Sequence, residues 1–179
     1  MSVKSKRFLG ILGVVALLLQ GTAFAQATFT STSGKITTIS SYAGSLFVKW
    51  SEAGLSSGGT TSYTITGSST AVYACTTGGS PMCPASASSA DLLWFAINAS
   101  ANGTIRQSVA VPPASAGSCT CPSGSLVLYQ VSYGNSANAP DLQICDDSNP
   151  GAACASIGPG YFSQTFCKQN SLRNCPPAS

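Results

Sequence analysis

The stretch DLLWFAINASANG, residues 91–103, admits two incompatible readings, and the fold turns on the choice between them. As a strand, Leu92 to Ile97 is a short apolar run of the kind buried inside a sheet. As a helix it has the better flanks. Ser88 stands three residues before Asp91 in the manner of a capping box, alanines fill positions 90, 96, 99 and 101, and Asn102-Gly103 makes a natural C-terminal stop. These flanks predict a helix over residues 89–101.

Outward from this segment the chain reads as strands. SGKITTISSYAGSLFVKWS, residues 33–51, is a hairpin. Its first arm alternates loosely over residues 34–41; in its second, Leu46, Val48 and Trp50 share one face and Phe47 and Lys49 the other. Tyr42-Ala43-Gly44 is the turn, with Gly44 free to take positive φ. GLSSGGTT, residues 54–61, reads as a flexible loop, SYTIT at 62–66 as a strand that AVYAC at 71–75 continues or follows, and residues 75–90 as loop. TIRQSVAV, residues 104–111, alternates with Ile105, Val109 and Val111 inward and ends at Pro112-Pro113. SLVLYQVSY, residues 125–133, starts apolar on both faces, as a central strand does, and a short strand is expected at 141–145. One helix between the third and fourth of five strands is the order of the OB-fold. The expected fold is therefore mainly β, an OB-like five-stranded barrel with one helix between strands 3 and 4. The alternative is a β-sandwich in which LLWFAI is another strand.

Residues 1–25 read as a secretory signal. Lys4, Lys6 and Arg7 precede the apolar run FLGILGVVALLL, and Ala23-Phe24-Ala25 offers small residues where signal peptidase needs them. Cleavage near Ala25 would leave Gln26 first and the protein secreted or periplasmic. The expected organisation is a barrel domain over 26–145 and an irregular, Cys-rich tail over 146–179 packed on it. No later stretch is long and apolar enough to span a bilayer. Beyond residue 25, Lys35, Lys49, Arg106, Lys168 and Arg173 balance Glu52, Asp91, Asp141, Asp146 and Asp147. Such a charge-poor surface gives no footprint for nucleic acid.

All eight cysteines, Cys75, Cys83, Cys119, Cys121, Cys145, Cys154, Cys167 and Cys175, lie past the signal, and an even count in an exported chain reads as disulfides. Cys75 with Cys83, Cys145 with Cys154 and Cys167 with Cys175 look local. Taking all three would force Cys119 onto Cys121, a strained bridge between residues two apart on an extended chain. At least one long-range bridge from Cys119-Thr120-Cys121 is therefore expected. The chain has no His and no C-x-x-C, so zinc is not expected, and no cofactor is.

The hairpin GKITTISSYAGSLFVKW, the Cys-bearing strand, SSADLLWFAINASANG and TIRQSVAV together resemble small exported bacterial proteins built like the B subunits of subtilase- and pertussis-type toxins. The shared features are G-x-I-x-x-I in the first strand and a helix turning into an x-I/V-x-x-x-V strand, over residues 34–111. The resemblance implies an OB-fold, pentameric rings and binding to sugar chains on host cells.

Chemistry is tightly bounded. Without His, Ser-His-Asp and Cys-His catalysis is absent. Asp146 and Asp147 are adjacent in a turn-like CDDSNPG, where neighbouring carboxylates point apart, so a glycosidase pair is not expected. CDDSNPG reads as a solvated turn closed by Cys145 and Cys154 in preference to a calcium loop. Binding is then expected to rest on aromatic residues that stack on sugar faces, with Tyr42, Trp50, Tyr63 and Tyr73 on the first three strands as candidates. Tyr63 reads as the best exposed of them, whereas Leu46 and Val48 on the same face favour the core for Trp50. Trp94 is expected in the core. The sequence thus points to an exported, disulfide-stabilised binding protein recognising carbohydrate. A structural or protein-interaction module with no small ligand is the alternative; an enzyme is not expected.

Overall fold

The structure, a computed structural model, describes residues 26–77, 81–87, 91–135, 142–149 and 154–178; the expected signal, residues 1–25, lies outside them. Among these residues the chain forms β1 (Thr28–Ile36), β2 (Leu46–Ala53), β3 (Thr60–Thr66), β4 (Ser69–Cys75), β5 (Pro81–Ala87), β6 (Leu93–Asn98), β7 (Thr104–Val111), β8 (Leu126–Tyr133), β9 (Gln143–Asp146), β10 (Ala155–Ser156) and β11 (Phe162–Thr165). There are 3₁₀ turns at Ser40–Tyr42 and Gln169–Asn174 and no α-helix among the described residues. Three open antiparallel sheets result, ordered β1-β2-β7, β10-β9-β3-β6 and β11-β8-β4-β5.

The opening hairpin is β1 and β2. Leu46, Val48, Trp50 and Glu52 are buried along one face of β2, as period-two alternation requires. Gly44 takes φ 87°, and a Cβ there would lie 2.3 Å from Leu128 Cδ2, so this turn needs glycine for both its backbone and its packing.

The segment read as a helix is strand β6. Its register sets Trp94 opposite Thr64 and Phe95 opposite Tyr63 on β3. Leu93, Phe95 and Ile97 turn inward; Trp94, Ala96 and Asn98 turn out. Alanine favours a helix by only about 0.7 kcal/mol or less per residue over ordinary residues. A helix here would leave one edge of β3 without partners, and unpaired buried backbone groups cost more than that preference. Asn102-Gly103 is indeed a break, but it serves the turn from β6 into β7, closed by the Ser100 N–H donating to the Thr104 carbonyl at 2.9 Å. Without a helix, and with no sheet closed on itself, the OB-like barrel is not formed. LLWFAI is a strand, as a sandwich would require, yet the strands divide among three sheets.

Two other expectations change. Residues 75–90 include β5, an edge strand on β4, where Pro81 and Pro84 are tolerated because one side of the strand needs no donors. The tail beyond residue 146 is also less irregular than expected. β10 pairs with β9 and β11 with β8, so it supplies the edges of two sheets. All three sheets share one apolar core, including Leu46, Val48 and Trp50 from the first, Ile65 and Ile144 from the second, and Leu128 and Val131 from the third.

The disulfides are Cys75–Cys121, Cys83–Cys119, Cys145–Cys154 and Cys167–Cys175. Two of the local pairs form as expected, and Cys119 and Cys121 reach far along the chain. The local Cys75–Cys83 bridge does not form. Cys83 faces Tyr73 in the β4–β5 register, so the two cysteines are not opposed, and each takes one thiol of the Cys119-Thr120-Cys121 segment instead. That segment therefore clasps both strands of the β4–β5 hairpin. Four bridges suit an oxidising compartment. No helix of the described residues is long and apolar enough to cross a membrane. Non-reducing peptide mapping should recover the 75–121 and 83–119 links, and replacing Cys83 and Cys119 together by Ser should lower stability by about 2–4 kcal/mol. A peptide joining Cys75 to Cys83 would refute the clasp.

Candidate functional site

At one end of the molecule the loop joining β2 to β3 forms a wall. It is tied to the β6–β7 turn by Leu55 N–H to Gly103 carbonyl at 3.1 Å, Gly58 N–H to Ser100 carbonyl at 3.2 Å and Ser57 hydroxyl to Ala101 carbonyl at 2.6 Å. Gly103, at φ 67°, permits this approach, since a Cβ there would lie 2.3 Å from the Leu55 carbonyl oxygen. Behind the wall is a cleft of about 930 Å³, floored on one side by Asp146 at the end of β9 and bordered by Ser148 and Asn149.

Asp146 and Asp147 do point apart. Asp147 is exposed, and its Oδ2 accepts the Thr64 hydroxyl at 2.6 Å. Asp146 turns inward and is 4 % exposed; its Oδ1 accepts the Ser148 N–H at 2.9 Å, while its Oδ2 has no partner among the described residues. Opposite Asp146 in register is Tyr63, whose hydroxyl donates to Glu52 Oε2 at 2.6 Å. Glu52 is 1 % exposed, and its Oε1 is likewise without a partner among the described residues. Burial raises the pKa of Glu52; the Tyr63 hydrogen bond opposes the rise and the charge of Asp146 adds to it. Burial raises Asp146 too, against the backbone N–H groups of Ser148 and Asn149. The Tyr63 hydroxyl is held far above its ordinary value by burial and by its bond to Glu52.

The expected aromatic residues scatter. Tyr63, proposed as exposed, is fully buried: it stacks on Phe95 at 5.6 Å and meets Trp50 edge-on at 5.4 Å. Its polar neighbours are simply the outer face of a strand whose inner face is core. Tyr73 is buried, with its hydroxyl on the Ala114 carbonyl at 2.7 Å, and Trp50 is buried as its companions required. Tyr42 is exposed at the hairpin turn, against the edge of Phe47. Trp94, expected in the core, is 62 % exposed. In a strand it falls between inward Leu93 and Phe95, so its ring must face out. There it shares the outer face of the β3–β6 pair with Ser62, Thr64 and Asn98, and Asp147 adjoins it through Thr64.

Glu52 escaped sequence reading although its signal was present: it continues the inward series Leu46, Val48, Trp50 by one more step of two. Among the described residues no group of three or more His, Cys, Asp or Glu is placed to hold a metal. No protein family, curated protein or solved structure matches the chain. The fold and these surfaces define a disulfide-stapled, mainly β protein with an acid-floored cleft and an exposed tryptophan on an outer sheet face.

The buried acids carry a pH consequence. A carboxyl whose folded pKa lies above its unfolded value favours folding while protonated and opposes it once ionised. The contribution of Glu52 is therefore fully present below its ordinary value of 4.5 and is lost as pH rises through the raised folded value. In chelator-treated buffer, Glu52→Gln, which keeps an acceptor for Tyr63, should melt higher than the parent at pH 7, with the gap closing toward pH 4. A gap that widens on acidification would show that Glu52 is stabilised as the anion.

Proposed function

We propose that this is an exported carbohydrate-binding protein whose binding surface is the outer face of β3 and β6. The observation that carries this reading is Trp94. A tryptophan left 62 % exposed on a sheet face is a flat apolar platform, suited to the C–H face of a sugar ring. Polar groups adjoin it. Thr64, directly opposite, is buried and gives its hydroxyl to exposed Asp147, and Ser62, Thr60 and Asn98 extend the strip toward the cleft, with the Thr60 hydroxyl on Asn98 Oδ1 at 2.7 Å. Trp94 and Asn98 lie four steps apart on the strand, roughly 13 Å of surface. Hydroxyls of a glycan lying along it would meet hydroxyl, amide and carboxylate partners in turn. The four disulfides fit an extracellular setting, and cleavage near Ala25 remains part of this proposal. A pentameric ring, as the toxin B-subunit resemblance implies, would appear as five times the chain mass in light scattering.

A second reading is favoured by the hairpin turn. Ile39 and Tyr42 are 65 % and 55 % exposed, beside a hollow of about 420 Å³ that includes Phe47. Such an apolar projection suits a protein partner. Glycan-array binding by the oxidised protein should fall by at least about tenfold in Trp94→Ala, on the order of the 1–3 kcal/mol that a lost aromatic stack is worth in comparable base–aromatic stacking. The melting temperature should be unchanged, and Tyr42→Ala should bind as the parent does. Binding that survives loss of Trp94 and fails on loss of Tyr42 would transfer the function to the hairpin.

A further inference from the structure

We propose that the end cleft is a site for a hard divalent cation of the calcium type, anchored by Asp146 with Glu52 behind it. Glu52 and Asp146 are 1 % and 4 % exposed, each is satisfied on one oxygen, and each has a bare, buried oxygen among the described residues. Acidic side chains are almost never this buried without a partner. Tyr63 brings them together, since it faces Asp146 across β3 and β9 and bonds Glu52 on β2. Among the described residues no Lys or Arg lines the cleft. Two desolvated carboxylates sharing one region repel when both are ionised, and either a proton or a cation relieves that repulsion.

The lining selects the ion. Ser56, Ser57, Thr61, Ser148 and Asn149 line the cleft together with Asp146 and offer hydroxyl, amide and peptide oxygens, and no described lining residue carries sulfur or imidazole. Oxygen-only surroundings suit calcium, which takes about 6–8 oxygens from carboxylates, carbonyls and water in flexible geometry, and suit softer metals poorly. One lining carboxylate, Asp146, with the charge of Glu52 behind it and neutral oxygens completing the shell, makes a weak site, with Kd on the order of 10⁻⁴–10⁻³ M as in extracellular modules. This inference is independent of sugar binding at Trp94.

Terbium reports on the site directly, because Trp50 and Tyr63 lie beside the acids and can sensitise its emission. The oxidised, exported protein is titrated with terbium chloride under excitation of its aromatic residues, then with calcium or magnesium as competitor. Saturable emission, displaced by calcium and far less by magnesium, is expected, together with a rise in melting temperature in calcium. Asp146→Asn keeps the acceptor for Ser148 and should weaken binding by at least the roughly 10–100-fold that loss of an outer-shell partner brings. Glu52→Gln, which preserves the Tyr63 bond, should weaken it as well and guards against misfolding of the first variant. Absence of sensitised emission, or emission equal in parent and both variants, would overturn the proposal. So would a melting temperature that calcium leaves unmoved while both variants raise it, which would mark a protonated acid pair.

Discussion

Tyr63 is the point on which the arrangement of the sheets depends. It stands on β3, stacks on Phe95 of β6, meets Trp50 of β2 edge-on and lies 6.3 Å from the ring of Phe29 on β1. Its hydroxyl crosses to Glu52. One side chain thus joins the β1-β2-β7 sheet to the β10-β9-β3-β6 sheet by both ring packing and a charge-assisted hydrogen bond. Two more tyrosines do the same for the third sheet. Tyr73 on β4 donates to Ala114, just past β7, and Tyr133 on β8 donates to the Gly44 and Val111 carbonyls at 2.8 and 3.0 Å. A buried tyrosine must find an acceptor for its hydroxyl, and these find theirs on another sheet or its flanking segment. The phenols of all three have raised pKa values because burial disfavours their anions.

This use of polar tips explains how three small open sheets hold together without closing into a barrel. Side-chain bonds fix their mutual placement where backbone ladders do not reach. Disulfides then fasten what the tyrosines leave loose. The Cys119-Thr120-Cys121 segment holds the β4–β5 edge, and Cys167–Cys175 holds the last turn over a small cluster of Ala74, Val127 and Leu172.

The legible parts of the sequence were those governed by one local rule. Leu46, Val48 and Trp50 declared the inner face of β2, Gly44 declared its turn, and the spacing of Cys119 and Cys121 required a distant partner. The illegible parts were decided by neighbours far along the chain. Residues 91–103 carry helix-favouring flanks, and only the open edge of β3, about 30 residues earlier, makes a strand the better outcome. The same change of period inverted the aromatic assignments. On a helix Trp94 would have packed inward; on a strand it alternates outward. Tyr63 looked open because its neighbours are polar, although alternation with polar residues is what a half-buried strand shows. The acid floor was missed for a related reason: Glu52 sits at a position the pattern reserves for apolar residues, and Asp146 is separated from it by most of the chain.

That placement is the strongest physical argument for function at the cleft. The chain carries only five acidic residues, and two of them are buried together. Stability alone disfavours this, because an apolar or amide side chain at either position would avoid the desolvation of a carboxylate. Nor does Tyr63 require a charge there: the amide oxygen of a glutamine at position 52 would still accept its hydroxyl. What an amide cannot supply is negative charge at the base of an oxygen-lined cleft. A charge-poor protein that keeps these two acids buried together gains a concentrated negative potential there whenever they ionise. A cation that neutralises both would convert their repulsion into attraction and bring β2, β3 and β9 under one shared constraint.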